Sequence, residues 1–380
     1  MGTLQVRGLT KRFGSTVAVD HVDLQVQDDE FFVLLGPTDS GKSTLLRLIC
    51  GLEKPDEGQI IIEGRDVTSL SANQRKMSMV FQNHQGLYPH MTVYDNIAFA
   101  LKAFQMTQEG VKMHVLAAAH TLEITHLLKR KITHLSHGEL QRVALARILV
   151  KKPEFYLFDE PLVHLDILRR MQARREILMI HRLMHKPCIY ATQDQTEASI
   201  LAQRVAVMAQ GQIQQVGTWN ELLHMPENIF VAQFVHTPPM NLLRGYLQSI
   251  YHQGELLYRV LARCIDPVLP NKWTKRLMEY GCSDVIFGFR PDAVVPEWAF
   301  ADSDEVSYCK TQVEILEVEP LTAMPVVKLK LETECEITGK FYHPPEDKTQ
   351  VGEVITIGID PQCIHLFHAQ THRSLLSIYE

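Results

Sequence analysis

The chain has 380 residues, 46% hydrophobic and 22% charged, with a formal net charge of −6 at neutral pH. That length suits two domains, and the composition is that of a globular protein rather than a disordered one. The mild acidic excess excludes a general nucleic-acid surface, and no apolar run reaches the ~20 residues that span a bilayer. Seven cysteines, odd in number and without a C-x-x-C pair, argue against a disulfide framework or a zinc site. The opening "MGTLQVRGLTKRFG" lacks the apolar stretch and cleavage site of a signal peptide. Val6 stands where a myristoylation signal wants a small hydroxyl residue. The expectation is a cytosolic chain whose membrane role, if it has one, comes through a partner.

Taken in order, about the first 235 residues alternate apolar strands with helix-patterned segments, as an α/β domain does. "FFVLL" (31–35) reads as a buried strand that enters a Gly-rich turn, and "STLLRLICGL" continues it as a helix with one apolar face. Residues from about 86 to 150 are richer in helical pattern, which predicts an inserted helical subdomain. "EFYLFDEP" (154–161) and "KPCIYATQD" (186–194) are two more buried strands ending in polar residues. Such strand ends are where open parallel sheets bind ligands. At "VHTPPMNLL" (235–243) the texture changes. Short alternating runs follow, among them "DVIFGFRPD", "KTQVEILEVEP" and "EVITIGIDP", as in a small β-barrel or sandwich. The expected domains are 1–237, nucleotide-binding α/β, and 238–380, β-rich; no tandem repeat is evident.

"GPTDSGKS" (36–43) fits G-x-x-x-x-G-K-[ST], with a strand before it and a helix after it. In that pattern Gly36, Pro37, Thr38, Asp39, Ser40 and Gly41 form a loop whose backbone N–H groups wrap phosphates. Lys42 neutralises the β and γ oxygens, Ser43 ligates Mg²⁺, and Thr44 adds a hydroxyl toward the α-phosphate. Asp39 puts a carboxylate where a small residue would be comfortable. Asp tolerates unusual backbone angles, so a tolerated loop variant is expected. Asp159 and Glu160 close the second strand in the right order. Asp159 can hold Mg²⁺ through water, and Glu160 can orient and deprotonate the attacking water. Two adjacent acids alone are often just solvated charge; after a phosphate loop they point to hydrolysis of a bound nucleotide.

The chain here resembles ATP-binding cassette (ABC) ATPases. "LSHGELQRVALARILVKKPEFYLFDEP" is similar to the family's signature helix and second phosphate motif, and "LTKRFG" to its adenine-stacking loop, with Phe13 as the ring. "MVFQNHQGLYPHMTVYDNIAFALK" resembles the glutamine loop, with Gln82 near Mg²⁺ and the water, and "PLVHLD" the D-loop ending in Asp166. "FGFRPD" and "EPL" resemble the importer branch with a C-terminal regulatory β-domain, the maltose and glycerol-phosphate type in particular. The resemblance implies a P-loop NTPase fold with a helical insertion, followed by an OB-like barrel that regulates and dimerises. It also implies a head-to-tail pair of ATPase subunits, each ATP lying between one phosphate loop and the other subunit's Ser136 and Gly138. The partners implied are two membrane permease subunits at the cytoplasmic face and, indirectly, an extracytoplasmic solute-binding protein. A homodimer is favoured over a heterodimer, and nucleic acid is not a partner.

Four departures from the family pattern stand out. The signature reads "LSHGE", so His137 replaces a glycine and Glu139 a glutamine. Val163 and His164 occupy D-loop positions that are usually small and polar. The glutamine loop is one residue longer than the common form. Gln193 stands where the family has a histidine reaching the γ-phosphate and the catalytic glutamate. A glutamine can donate a hydrogen bond but carry no charge, so slower turnover with preserved ATP binding is expected. Compensation by neighbouring residues is the alternative.

His181 and His185 share helical i, i+4 spacing, but without a third ligand they read as a helix face. The basic-apolar helix after the D-loop is expected to pack beside the sheet with its arginines solvated. The function expected is an importer ATPase for sugars or a polyol or glycerol phosphate. Importers of polyamine, metal or oxyanion, and a slow ATP-sensing regulatory subunit, are the alternatives.

Overall fold

The computed structural model describes residues 3–81, 86–101, 106–151, 153–252, 254–262, 265–300, 308–319, 324–331, 335–342 and 349–376. The chain divides into two compact units, Met1–Trp219 and Asn220–Glu380.

In the first unit, β1 (Leu4–Phe13), β2 (Thr16–Val26), β4 (Glu57–Ile62) and β5 (Arg65–Asp66) form an antiparallel sheet in the order β2-β1-β4-β5. The second sheet is built from β3 (Phe31–Leu35), β6 (Met77–Val80), β7 (Phe155–Asp159), β8 (Cys188–Thr192), β9 (Arg204–Ala209) and β10 (Gln212–Gly217). Its order is β10-β9-β3-β8-β7-β6, parallel except for the β9–β10 pair. Every residue of β3, β7 and β8 is buried, as expected for parallel strands covered on both faces. Phe32, Leu34, Leu157 and Ile189 share one core with Leu45, Leu48 and Ile49 of the helix α1 (Lys42–Cys50).

Between β6 and β7 the expected helical segment holds α2 (Val93–Phe99), α3 (Gln108–Thr121) and α4 (His137–Leu149). Each starts at a hydroxyl N-cap: Thr92 accepts from Asp95 N–H, Thr107 from Gly110 N–H and Ser136 from Glu139 N–H. α5 (Ile167–Met184) follows β7, and α6 (Gln195–Leu201) follows β8. α5 buries Ala173, Ile177 and Ile180, as expected. Its arginines are not all solvated. Arg174 is buried and Arg170 is partly covered, because both lie on the same face as the buried Ala173 and Ile177, where Arg170 pairs with Asp194 at the start of α6.

The second unit contains the rest of α7 (Trp219–His224) and α8 (Ile229–Phe234). Residue 238, where the composition changes, falls inside it, because α8 packs there: Ala232 shares a cluster with Met240 and Phe367. Its strands are β11 (Asn241–His252), β12 (Glu255–Leu261), β13 (Asp284–Phe289), β14 (Val294–Pro296), β15 (Cys309–Glu319), β16 (Val326–Leu331), β17 (Glu336–Lys340), β18 (Val354–Ile359) and β19 (Ile364–His368), with α9 (Thr274–Tyr280) between β12 and β13. They form two antiparallel sheets, β12-β11-β13-β19 and β14-β18-β15-β16-β17. Phe287 and Leu247 from the first sheet and Ile315, Leu329 and Ile357 from the second share a single core. This is the barrel-like domain that the alternating runs predicted. Among the described residues no helix is long and apolar enough to cross a membrane.

Candidate active site

The C-terminal ends of β3, β7 and β8 lie side by side, Leu35 opposite Thr192 and Asp159 opposite Ala191. Two further backbone bonds extend this register into the loops. The N–H of Gly36 donates to the Thr192 carbonyl at 3.2 Å, and that of Glu160 to the Ala191 carbonyl at 3.0 Å. The start of the phosphate loop, the second acid and the residue before Gln193 are thus tied to one strand end.

The loop itself needs its glycines. A Cβ on Gly36 would collide with the Met208 carbonyl oxygen, and one on Gly41 with the Ala18 carbonyl oxygen. Gly41 also has φ +103° as it opens α1. Asp39 is exposed and left-handed, φ +59°, a conformation that Asp adopts more readily than most residues.

Lys42 is buried, and its ammonium donates to the carbonyls of Gly36 at 2.9 Å and Pro37 at 2.7 Å. The Glu160 carboxylate lies 3.4 Å away. Burial pulls the Lys42 pKa below the usual lysine value, against the opposing pull of Glu160. Ser43 Oγ donates to Asp159 Oδ1 at 2.7 Å. Burial raises the Asp159 carboxyl above the usual carboxylate range, and the Ser43 bond works the other way. Glu160 is buried and has φ +43°, a left-handed backbone for a non-glycine residue. Such a conformation costs on the order of 1–3 kcal/mol, and strain of this kind clusters at functional sites. Thr16–Ala18, Thr38–Thr44, Glu160, Gln210 and Gly211 line a cleft of about 590 Å³. Phe13 ends β1 with its ring 48% exposed, one turn before those hairpin residues, and Lys11 Nζ sits 5.3 Å from its centroid.

Ser43 and Asp159 are hard oxygen donors in contact, a pair that suits Mg²⁺ rather than a soft metal. Gln82 lies outside the described residues, as does the start of the lengthened loop. Gln193 is exposed, directly after Thr192.

Ser136 and Gly138 do not line this cleft. They open α4 and border a separate cavity with Arg142, Leu165 and Arg169. There Ser136 N–H donates to Glu139 Oε2 at 2.7 Å while Glu139 N–H donates back to Ser136 Oγ at 3.4 Å. A capping box takes Glu or Gln at that position, and Glu139 closes one here. His137 is exposed at the first position of the helix. Asp166 caps α5, accepting from Arg169 N–H at 3.0 Å. Val163 is partly covered and His164 exposed. His181 and His185 both face Asp29, at 3.8 and 3.1 Å. Among the described residues no cluster of three or more His, Cys, Asp or Glu that could hold a metal occurs.

Sequence reasoning passed over three groups. Arg75 is buried and donates to the carbonyls of Leu48, Ile49, Thr68 and Leu70, closing the C-terminal end of α1. Gln141 is 1% exposed, and neither amide atom finds a partner among the described residues. Glu197 is buried beneath the loop that carries Gln193. The hydrophilic texture around Arg75 gave no sign of burial, and the other two lie in polar patterns that read as helix surface.

The family model described as ABC transporter matches residues 19–163. The chain is 38% identical to an sn-glycerol-3-phosphate import ATP-binding protein of Bordetella pertussis, covering 98% of this chain and 99% of that one. It is 37% identical to a sulfoquinovosyl glycerol transport ATP-binding protein of Agrobacterium fabrum, covering 99% and 100%. Among solved structures it is similar to the ATP-binding cassette MJ0796 in a dimeric post-hydrolysis state bound to ADP and Pi. That likeness has 26% identity and a TM-score of 0.52, over 57% of this chain and 98% of that one.

Proposed function

We propose, from the premise that this chain belongs to the ABC transporter family of ATP-binding proteins, that it is the ATPase subunit of a solute importer. Its solute in this reading is a sugar or a glycerol phosphate, in keeping with what its full-length relatives carry. The observation that carries the ATPase reading is the convergence of Lys42, Ser43, Asp159 and Glu160 at adjoining strand ends.

In this reading the Lys42 ammonium exchanges the Gly36 and Pro37 carbonyls for phosphate oxygens, while the loop N–H groups bind the same anion. Ser43 and Asp159, with Gln82, would hold Mg²⁺, whose charge would offset that of the phosphates. Glu160 accepts the proton of the attacking water, and Gln193 donates a hydrogen bond to the transferring phosphoryl group. Phe13 stacks on the adenine.

Each chain carries two half-sites in different cavities, the Lys42 cleft and the Ser136–Gly138 helix start. The arrangement supports a head-to-tail pair in which one subunit's α4 N-terminus meets the other's nucleotide. We assign the pair as two copies of this chain, peripheral to the cytoplasmic face of the membrane under two permease subunits. A groove lined by Leu52, Phe81, Leu87, Ala144 and Arg147, beside the glutamine loop, is the proposed seat of a permease segment. The test is Mg²⁺-dependent ATPase activity of the purified chain, followed by co-purification from membranes. Absence of nucleotide hydrolysis in the purified pair and in the permease complex alike would refute the reading.

A further inference from the structure

Glu197 has no part in the chemistry described above, yet it is 3% exposed. A carboxylate so deeply covered needs partners, and this one has two. Its Oε2 accepts from Tyr190 OH at 2.9 Å and from Thr192 Oγ1 at 2.7 Å. Thr192 Oγ1 in turn accepts from the Asp194 N–H at 3.0 Å. Asp194 Oδ1 accepts from the N–H of Thr196 and of Glu197, and its other oxygen pairs with Arg170 at 3.0 Å. Arg170 also donates to the Leu165 carbonyl, in the segment that leads to Asp166.

The residues on both sides of Gln193 are therefore held: the buried Glu197 carboxylate fixes the Thr192 hydroxyl, which holds the Asp194 N–H, while the Asp194 carboxylate is tied to the start of α6 and to Arg170. Gln193 itself is exposed. An exposed amide with a flexible stem is an imprecise donor unless its backbone is held, because rate falls steeply with small misplacements.

We infer that Glu197 is a positioning residue for hydrolysis: through Thr192 and Asp194 it sets the backbone from which Gln193 reaches the reacting phosphate. This rests on the reading of Gln193 as the group that serves the γ-phosphate. Glu197 touches neither nucleotide nor water in this scheme. It acts on turnover through Gln193 and leaves ATP binding to the Lys42 loop.

A double-mutant cycle on the full-length chain tests this, with kcat and KM for ATP measured for Gln193→Ala, Glu197→Ala, both together, and Glu197→Gln. Glu197→Ala lowers kcat about tenfold with KM within about twofold, and adds less than about twofold when Gln193 is already alanine. Glu197→Gln stays within about threefold of the parent, because its carbonyl oxygen still accepts from Tyr190 and Thr192. Thr192→Val, nearly isosteric, gives the same loss and serves if Glu197→Ala does not fold. An equal loss of kcat in the presence and absence of Gln193 overturns the inference alone. A Gln193→Ala variant with unchanged kcat overturns the reading of the site, and the inference with it.

Discussion

Lys42 Nζ lies 3.4 Å from Glu160 Oε1, and both side chains are under a tenth exposed. The two groups thus hold each other inside one cleft; in the proposed reading the first binds phosphate and the second activates the water. They have separable duties. Glu160→Gln should keep ATP affinity while kcat falls about 10²-fold or more, the scale of a lost general base. Calorimetric titration with ATP beside a turnover assay reads both. Parallel loss of binding and rate would show that Glu160 serves the cradle and not the water.

Gln193 follows the strand end to which Gly36 and Glu160 are both bonded. A glutamine there donates without carrying charge, so the transition state gains less from it than from an imidazolium. Gln193→His should raise kcat several-fold, about 1 kcal/mol in barrier height, with KM little changed. An unchanged or lower rate would mean that the surrounding residues are adapted to the amide.

Burial raises the Glu197 carboxyl above its usual pKa, with the Thr192 and Tyr190 bonds opposing. A folded-state value above the unfolded one contributes stability that is full below the unfolded pKa. That stability is lost as pH rises through the folded value. Glu197→Gln keeps the accepting oxygen and carries no charge. Its melting temperature should therefore exceed the parent's near pH 8, and the gap should shrink toward about pH 4.5. A gap that widens on acidification would contradict the assignment.

Arg75 spreads its guanidinium over four carbonyls, two of them at the end of the helix that begins with Lys42. Truncation to alanine orphans those oxygens and should cost about 3–5 kcal/mol. A urea midpoint read beside ATP affinity separates this from a direct role. Stability should fall while the residual folded protein binds ATP normally.

These residues show how far the sequence could be read. "FFVLL" and "GPTDSGKS" are local: an apolar run, two glycines and a lysine specify strand, turn and cradle without help from distant residues. The placement of the adjacent acids 159 and 160 beside Ser43 and Lys42 follows from an apolar strand ending in charge after a phosphate loop. Glu139 stands out in the sequence only as a departure; the bond it accepts from the Ser136 N–H shows once the helix start is in view. Glu197 lay hidden, since D-x-x-E is also the pattern of a helix capping box, whose acid is solvated. Its burial comes from Tyr190 and Thr192 meeting it across a turn. Helix periodicity places Arg174 on a face without saying what covers that face, so its burial is not legible in the sequence. Arg75 depends on carbonyls over twenty residues away, which no pattern in "SANQRK" reports.

The central claim is that one chain's Lys42 cleft is completed by another chain's Ser136 and Gly138. Gly138 has room for a side chain, its nearest neighbour being Arg169 Cδ at 3.6 Å from an added Cβ, so Gly138→Asp should fold. The most direct measurement is ATPase activity on mixing two inactive variants, Lys42→Ala and Gly138→Asp. In a head-to-tail pair each mixed dimer regains one intact site, and equal amounts should restore about a quarter of the parent rate. A mixture as inactive as its components would contradict the account.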